Sequence, residues 1–257
     1  MSSDPKIITV DKKNIADYPD CICFINARHP AHPQKINWLQ KRFSEGLRIK
    51  LAYVPGQKKA AGFIEYVPGE NAWRAVSAKG YLFIHCLYVY PNKNKNKGLG
   101  SMLLSECIKE ARQKSMNGVA VIAGNGAFMA GTELFYKNGF SLLETDGQGN
   151  DLLLHKLKDE PLPVINDWKT ELTKYKGLHI VYSKQCPWVA RMVKEVTDSK
   201  TAKQLNIQIT ELQTPAEAQH APSLNTVFNL IYNGKLLSDR YISLTRFNNI
   251  LKKEKLI

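Results

Sequence analysis

Apolar and polar positions alternate along the first half of the chain in two different rhythms. The runs "LRIKLAYV", "KAAGFIEYV" and "GYLFIHCLYVY" are dense in branched and aromatic residues. They are separated by the turn-rich stretches "PGQK" and "PGENAWRAVSAK", which predicts three strands of an antiparallel meander. Before them, "KIITV" reads as a strand and "DKKNIADYPDCICFINAR" as helical. "PQKINWLQKRFSEG" also reads as a helix, with Ile36, Leu39 and Phe43 at core spacing and Gly46 as its stop. A long helix is expected from Gly98 to about Met116, burying Met102, Leu103, Cys107, Ile108 and Ala111. "GVAVIA" then reads as a strand, "MAGTELFYKN" as a short helix, and "GFSLLET" and "DLLLHKL" as closing strands. The sum is an α/β (α+β) unit: a mixed, mostly antiparallel sheet flanked by helices.

The proline-marked segment "KDEPLPVINDW" breaks both rhythms, so the expected division is a first domain at 1–157, a linker at 158–168 and a smaller α/β domain at 169–257. In the second domain "GLHIVYS" and "IQITEL" read as strands, and "TVFNLIYNGKLL" as a hairpin about Asn233 and Gly234. "PWVARMVKEVTDSKTAKQL", "PAEAQHA" and "SLTRFNNILKK" supply the helices. A chain of 257 residues is long enough for two such cores.

Composition narrows the chemistry. No run reaches the ~18 apolar residues of a membrane span, and residues 1–20 lack a basic, apolar and cleavable leader, so a cytoplasmic protein without membrane attachment is expected. Five cysteines without CxxC spacing read as thiols and not as a zinc site, and no metal is expected. The formal charge of +13 favours an anionic partner: nucleic acid, an acidic surface or a phosphorylated cofactor.

"PNKNKNKGLGSMLL" chooses among these. Lys93, Lys95 and Lys97 alternate with asparagines, and Gly98, Leu99 and Gly100 then stand where the long helix begins. Backbone N–H groups at a helix start hold phosphates, and glycine leaves room for them. A P-loop needs glycine, lysine and a hydroxyl residue in succession, and a dinucleotide fold needs a third glycine, and neither is present.

Taken with "ELFYKNGF", the stretch "LYVYPNKNKNKGLGSMLL" resembles the two central motifs of the GNAT superfamily of acyl-CoA N-acyltransferases over roughly residues 6–157. The resemblance implies acetyl-CoA as donor, with Lys95, Asn96, Lys97, Gly98, Leu99, Gly100 and Ser101 around its pyrophosphate. It implies Leu87, Tyr88 and Val89 as the strand paired with its pantetheine, and Tyr136 as the acid that protonates the departing thiolate. Lysine at 95 departs from the family's arginine or glutamine. An asparagine often found before the tyrosine falls on Met129, with Asn125 as a substitute. The amine must lose a proton, and His85 is the first candidate base, on the face of Leu87 by the period of two. Glu65 is the second. His29, Trp73 and Arg74 lie in loops that shape an acceptor pocket in this reading.

"NWLQKRFSEGLRIK", "GFIEYVPGENAWRAV", "YLFIHC", "QCPWV" and "AQHAPS" together resemble proteins that join a GNAT domain to a YoaP-like, thioredoxin-like C-terminal domain. That resemblance sets Cys186 at the first turn of a helix, activated by the helix dipole and added to the substrate-binding candidates. Val189 stands where thioredoxins carry a second cysteine, and Pro222 is the candidate cis-proline. The expected function is acetyl transfer to a primary amine of a small acceptor. The alternatives are a basic nucleic-acid-binding module, which lacks interleaved surface aromatics, and a thiol-dependent oxidoreductase, which lacks the partner cysteine. The acceptor's identity, the acyl length and a homodimer stay open.

Overall fold

The structure is a computed structural model that describes residues 4–18, 23–124, 126 and 129–257. The chain packs into two compact units: Met1–His29, Leu39–Ala72 and Ser77–Val164 form the first, and Pro30–Trp38, Trp73–Val76 and Ile165–Ile257 the second. The division is thus not the contiguous one expected, since two short pieces of the first 157 residues pack with the C-terminal part.

In the first unit the strands are β1 (Lys6–Val10), β2 (Arg48–Tyr53), β3 (Gly62–Pro68), β5 (Leu82–Val89), β6 (Gly118–Gly124), β7 (Ser141–Thr145) and β8 (Asn150–Lys156). They form one sheet in the order β1-β2-β3-β5-β6-β8-β7. Every neighbouring pair is antiparallel except β5 and β6. The parallel pair needs a crossover, and helix α2 (Leu99–Gln113) supplies it. Its Leu99, Leu103, Leu104, Cys107 and Ala111 fill a core with Ile64, Tyr66, Ile84, Leu87, Val121 and Ala123 of the sheet. Met102, expected in this stripe, is only half-buried.

A polar network ties α2 to the sheet. The Tyr66 hydroxyl donates to Glu110 Oε2 at 2.5 Å, and Lys50 Nζ donates to Glu106 Oε2 at 3.1 Å. Burial pushes Glu110 up, but Lys114, Tyr66 and Lys50 outweigh it and hold its carboxyl below the usual range. Burial, with Glu110 nearby, raises the Tyr66 phenol and the Cys107 thiol far above their ordinary values.

Helix α1 (His32–Phe43) stands where expected, with Gly46 at φ +88° after it. Two short strands, β4 (Val76–Ser77) and β9 (Val164–Ile165), lie where the chain passes between units. The expected helix at 11–28 is absent from the described residues of that stretch, which carry a single 3-10 turn at Ile15–Asp17. Local polar bonds compete with the helix there: Asp11 N–H donates to Asn14 Oδ1, and Asn14 Nδ2 to Thr9 O.

The second unit has the strands β10 (Leu178–Tyr182), β11 (Gln208–Glu211), β12 (Phe228–Tyr232) and β13 (Lys235–Ser238), in the order β11-β10-β12-β13. β10 and β11 are parallel, and β12 is antiparallel to both β10 and β13. Helices α4 (Trp168–Thr173), α5 (Pro187–Thr197), α6 (Lys200–Gln204), α7 (Pro215–Gln219) and α8 (Leu244–Lys253) complete it. Val189, Met192, Val193 and Val196 of α5 and Phe247 and Leu251 of α8 pack with Ile180, Phe228 and Leu230. The single helix expected over 187–205 is two, because the Ser199 hydroxyl accepts from Ala202 N–H and caps a new start.

Candidate active site

The central strand β5 does not keep a period of two. Glu65 of β3 pairs with Cys86, but Tyr66 pairs with Ile84, so His85 is an extra residue on β5. This β-bulge turns the strand over, and Ile84 and Leu87 both enter the core beneath α2, which an unbroken strand would forbid. The expected shared face of His85 and Leu87 is therefore not found. His85 instead lies by Phe83, with ring centroids 6.1 Å apart. Its Nδ1 is 3.5 Å from Glu65 Oε1, and the two side chains are 0% and 1% exposed. The structure brings the two candidate bases together, sealed from solvent, so neither meets an acceptor directly in this arrangement.

Beyond the bulge the sheet opens. β5 and β6 pair over Leu82–Ile84 with Val119–Val121 and no further, although β5 runs on to Val89 and β6 to Gly124. On its other edge β5 stays paired with β3 as far as Val89. Backbone groups of Leu87, Tyr88 and Val89 that do not serve β3 thus face a gap between parallel strands, free to pair with an extended ligand.

The basic loop follows directly. Asn94, 2% exposed, anchors it by donating to Tyr90 O at 3.0 Å and exchanging amide bonds with Gln57. Asn96 and Gly98 both take positive φ, +59° and +78°. Alternating hands of this kind turn successive N–H groups inward. Gly98 caps α2 with no side-chain hydrogen bond, and the first helical bond is Met102 N–H to Gly98 O. The N–H groups of Leu99, Gly100 and Ser101 are therefore not used by the helix. A Cβ on Gly98 would meet nothing, so that glycine is required by its backbone conformation. A Cβ on Gly100 would lie 3.0 Å from a Leu134 methyl carbon, so this glycine also serves the packing of the next helix. Lys93, Lys95 and Lys97 are exposed around the helix start.

That next helix is α3 (Thr132–Lys137). Phe135 is buried against Phe140, centroids 5.3 Å apart, while Tyr136 beside it is 45% exposed. Asn138 donates to Ser101 Oγ at 3.0 Å and to Leu134 O at 2.7 Å, tying the end of α3 to the first turn of α2. Sequence reasoning passed over Asn138. Its signal is the Asn-Gly pair, which ends the helix with Gly139 at φ +77°. Asn125 lies outside the described residues.

The remaining candidates divide between the units. His29 is half-buried in the first unit. Trp73 and Arg74 pack in the second: Arg74 Nη1 donates to Gln185 Oε1 at 2.7 Å, and Thr226 Oγ1 donates to Trp73 O at 2.6 Å. Gln185 precedes Cys186, the half-buried N-cap of α5, with Pro187 at the first helical position. Pro222 is not the expected cis-proline. The cis bond among the described residues is Tyr90–Pro91, and Pro222 enters a buried bend in which Ser223 Oγ donates to Asn225 O. Among the described residues no three His, Cys, Asp or Glu side chains gather as metal ligands, and no helix is long and apolar enough to cross a membrane.

Comparison with known proteins shows what this arrangement is similar to. Residues 16–140 match the acetyltransferase (GNAT) family. The chain is similar to the Bacillus subtilis (strain 168) protein named uncharacterized N-acetyltransferase YoaP, 28% identical over 95% of this chain and 97% of that one. Among solved structures, an IAA acetyltransferase from Bacillus cereus ATCC 14579 is 14% identical, with 60% of this chain and 100% of that one aligned and a TM-score of 0.42. The paia N-acetyltransferase from Thermoplasma acidophilum, in complex with coenzyme A, is 17% identical over 61% of this chain and 100% of that one, with a TM-score of 0.39. Residues 16–140 are thus similar to GNAT acetyltransferases, and this likeness, with that to the YoaP protein, supports an acyl-CoA N-acyltransferase.

Proposed function

We propose that the first unit transfers an acetyl group from acetyl-CoA to the primary amine of a small acceptor by direct attack. The observation that carries this reading is the gap between β5 and β6, which ends beside an uncapped helix start bearing three exposed lysines. Pantetheine fits the gap as an added strand along Leu87–Val89. The pyrophosphate fits the N–H groups of Leu99, Gly100 and Ser101, and Lys95, Asn96, Lys97 and Gly98 surround it. In the reaction the amine nitrogen bonds to the thioester carbon and the C–S bond breaks. The amine gives up a proton to water, the thiolate gains one from the exposed Tyr136, and the phenolate left there is reprotonated by solvent.

Glu65 and His85 act here through the backbone. Their buried contact fixes the bulge that turns Leu87 into the core and opens the strand edge. The function is tested by following free thiol from acetyl-CoA with a panel of primary amines. Amine-dependent release supports the reading, and release no faster than without amine across the panel counts against it.

We further infer that the second unit is thioredoxin-like and that Cys186 is its reactive thiol. What supports this is its strand order, with one parallel and two antiparallel pairings, and the cysteine at the N-cap after β10. The buried Cys107 thiol is an internal reference, because burial keeps it protonated. An alkylating reagent at neutral pH is expected to label Cys186 in the folded chain while sparing Cys107, as peptide mass mapping would read. An unlabelled Cys186 leaves it a packing residue.

A further inference from the structure

Four aromatic rings gather on the face of the first unit's sheet that turns away from α2. Tyr88 stands between Leu87 and Val89, which both pack toward α2, so its side chain points the other way. Phe63 is its partner across β3. The Phe24 ring lies against all of them, its centroid 5.6 Å from Phe63, 5.8 Å from Tyr88 and 5.2 Å from Tyr90. Yet Tyr88 is 41% exposed and Tyr90 49%. Large rings kept at the surface beside a ligand gap mark a binding face more often than a folding need.

Position says which ligand. The face beneath α2 is filled by Leu87, Leu99 and Leu103, so an acceptor reaching a thioester in the gap arrives from the Tyr88 face. The next same-face pair along the two strands is Glu65 with Cys86, about 7 Å from Phe63 and Tyr88 at two residues of strand rise. The approach thus presents ring faces, while the Glu65 carboxylate is buried against His85 and out of an acceptor's direct reach. Exposed Lys95, whose Nζ lies 5.6 Å from the Tyr88 ring centroid, and Lys97 border the outer end and repel a second positive charge.

We propose that the acceptor is an arylalkylamine: one aromatic ring that packs on Phe24, Tyr88 and Tyr90, joined by a short chain to a single primary amine. The inference rests on the acetyl-transfer reading of the same site and names its substrate class. Ring-on-ring packing rewards an aromatic body over an aliphatic one of equal size, and the single charge suits the lysine border.

The test is calorimetric titration of 2-phenylethylamine and n-hexylamine into the full chain saturated with CoA, for the wild type and for Tyr90→Ala. Tyr90 is exposed and lies outside the strand assigned to pantetheine, so the variant keeps its fold and its cofactor site. The expected result is that 2-phenylethylamine binds about ten-fold tighter than n-hexylamine, and that Tyr90→Ala removes the preference without changing CoA affinity. Equal binding of the two amines, no binding of either, or a preference that survives in the variant overturns the proposal. Tyr90→Ala weakening CoA instead assigns the rings to the nucleotide, and also overturns it. Thiol release from acetyl-CoA by the same amines is read separately. Aryl preference in binding without turnover defeats the transfer reading alone, while turnover of both amines at equal rates defeats the arylalkylamine assignment alone.

Discussion

Tyr136→Phe is expected to lower turnover with acetyl-CoA and an amine by about 10² to 10⁴, the usual worth of a positioned general acid. The ring of Tyr136 is half in water at the end of a six-residue helix, while the packing of that helix rests on its neighbour Phe135. Removing one hydroxyl therefore leaves the fold and the acetyl-CoA site intact. The loss should appear in kcat, with acetyl-CoA affinity within a few-fold of the wild type, because the hydroxyl acts only when the thiolate leaves. Unchanged turnover would make Tyr136 a surface ring and leave the thiolate to take its proton from water.

Gly100→Glu is expected to lower acetyl-CoA affinity by more than about 100-fold. Two lost charge-assisted hydrogen bonds, at about 1.5 kcal/mol or more each, already account for that. The new carboxylate would sit at the helix start, where it competes with the phosphates for the N–H groups of Leu99, Gly100 and Ser101. Gly100→Ala separates charge from space. Its Cβ would lie 3.0 and 3.3 Å from the Leu134 methyl carbons, the movable end of a side chain, so binding should stay within about ten-fold of the wild type. Direct titration of acetyl-CoA reads both variants. Wild-type affinity in Gly100→Glu would mean that the loop holds no phosphate.

What could be read in advance follows from how local each signal is. Two glycines two residues apart before an apolar run of helical spacing announce a helix start within a few residues, and Gly98 and α2 were legible for that reason. The meander was legible because each strand is a dense apolar run bounded by turns. The bulge at His85 was not, since a bulge is a property of two strands: it exists only in the shift from Glu65–Cys86 to Tyr66–Ile84. Reading β5 alone gives an unbroken period of two, and with it the wrong face for His85. The packing of Trp73–Val76 with residues 165–257 was hidden for the same reason. It rests on bonds such as Asn166 N–H to Ala75 O and Thr226 Oγ1 to Trp73 O, between residues far apart in the chain. Apolar content alone likewise extends α5 to Leu205, whereas the Ser199 cap divides it.

The rings about Tyr88 show the same limit. Phe24, Phe63, Tyr88 and Tyr90 come from three separate segments, and pairing of β3 with β5 joins only two of them. On the sequence they are scattered aromatics, and on the sheet they are one surface beside the gap.

The central claim is that the gap between β5 and β6 holds acetyl-CoA for attack by an amine. The most direct measurement is the release of free thiol from acetyl-CoA by the full chain, with and without 2-phenylethylamine, with the mass of the amine product recorded alongside. The account predicts thiol and N-acetylated amine in equal amounts, both dependent on the amine. Thiol release that ignores the amine, or none with any primary amine supplied, would contradict it.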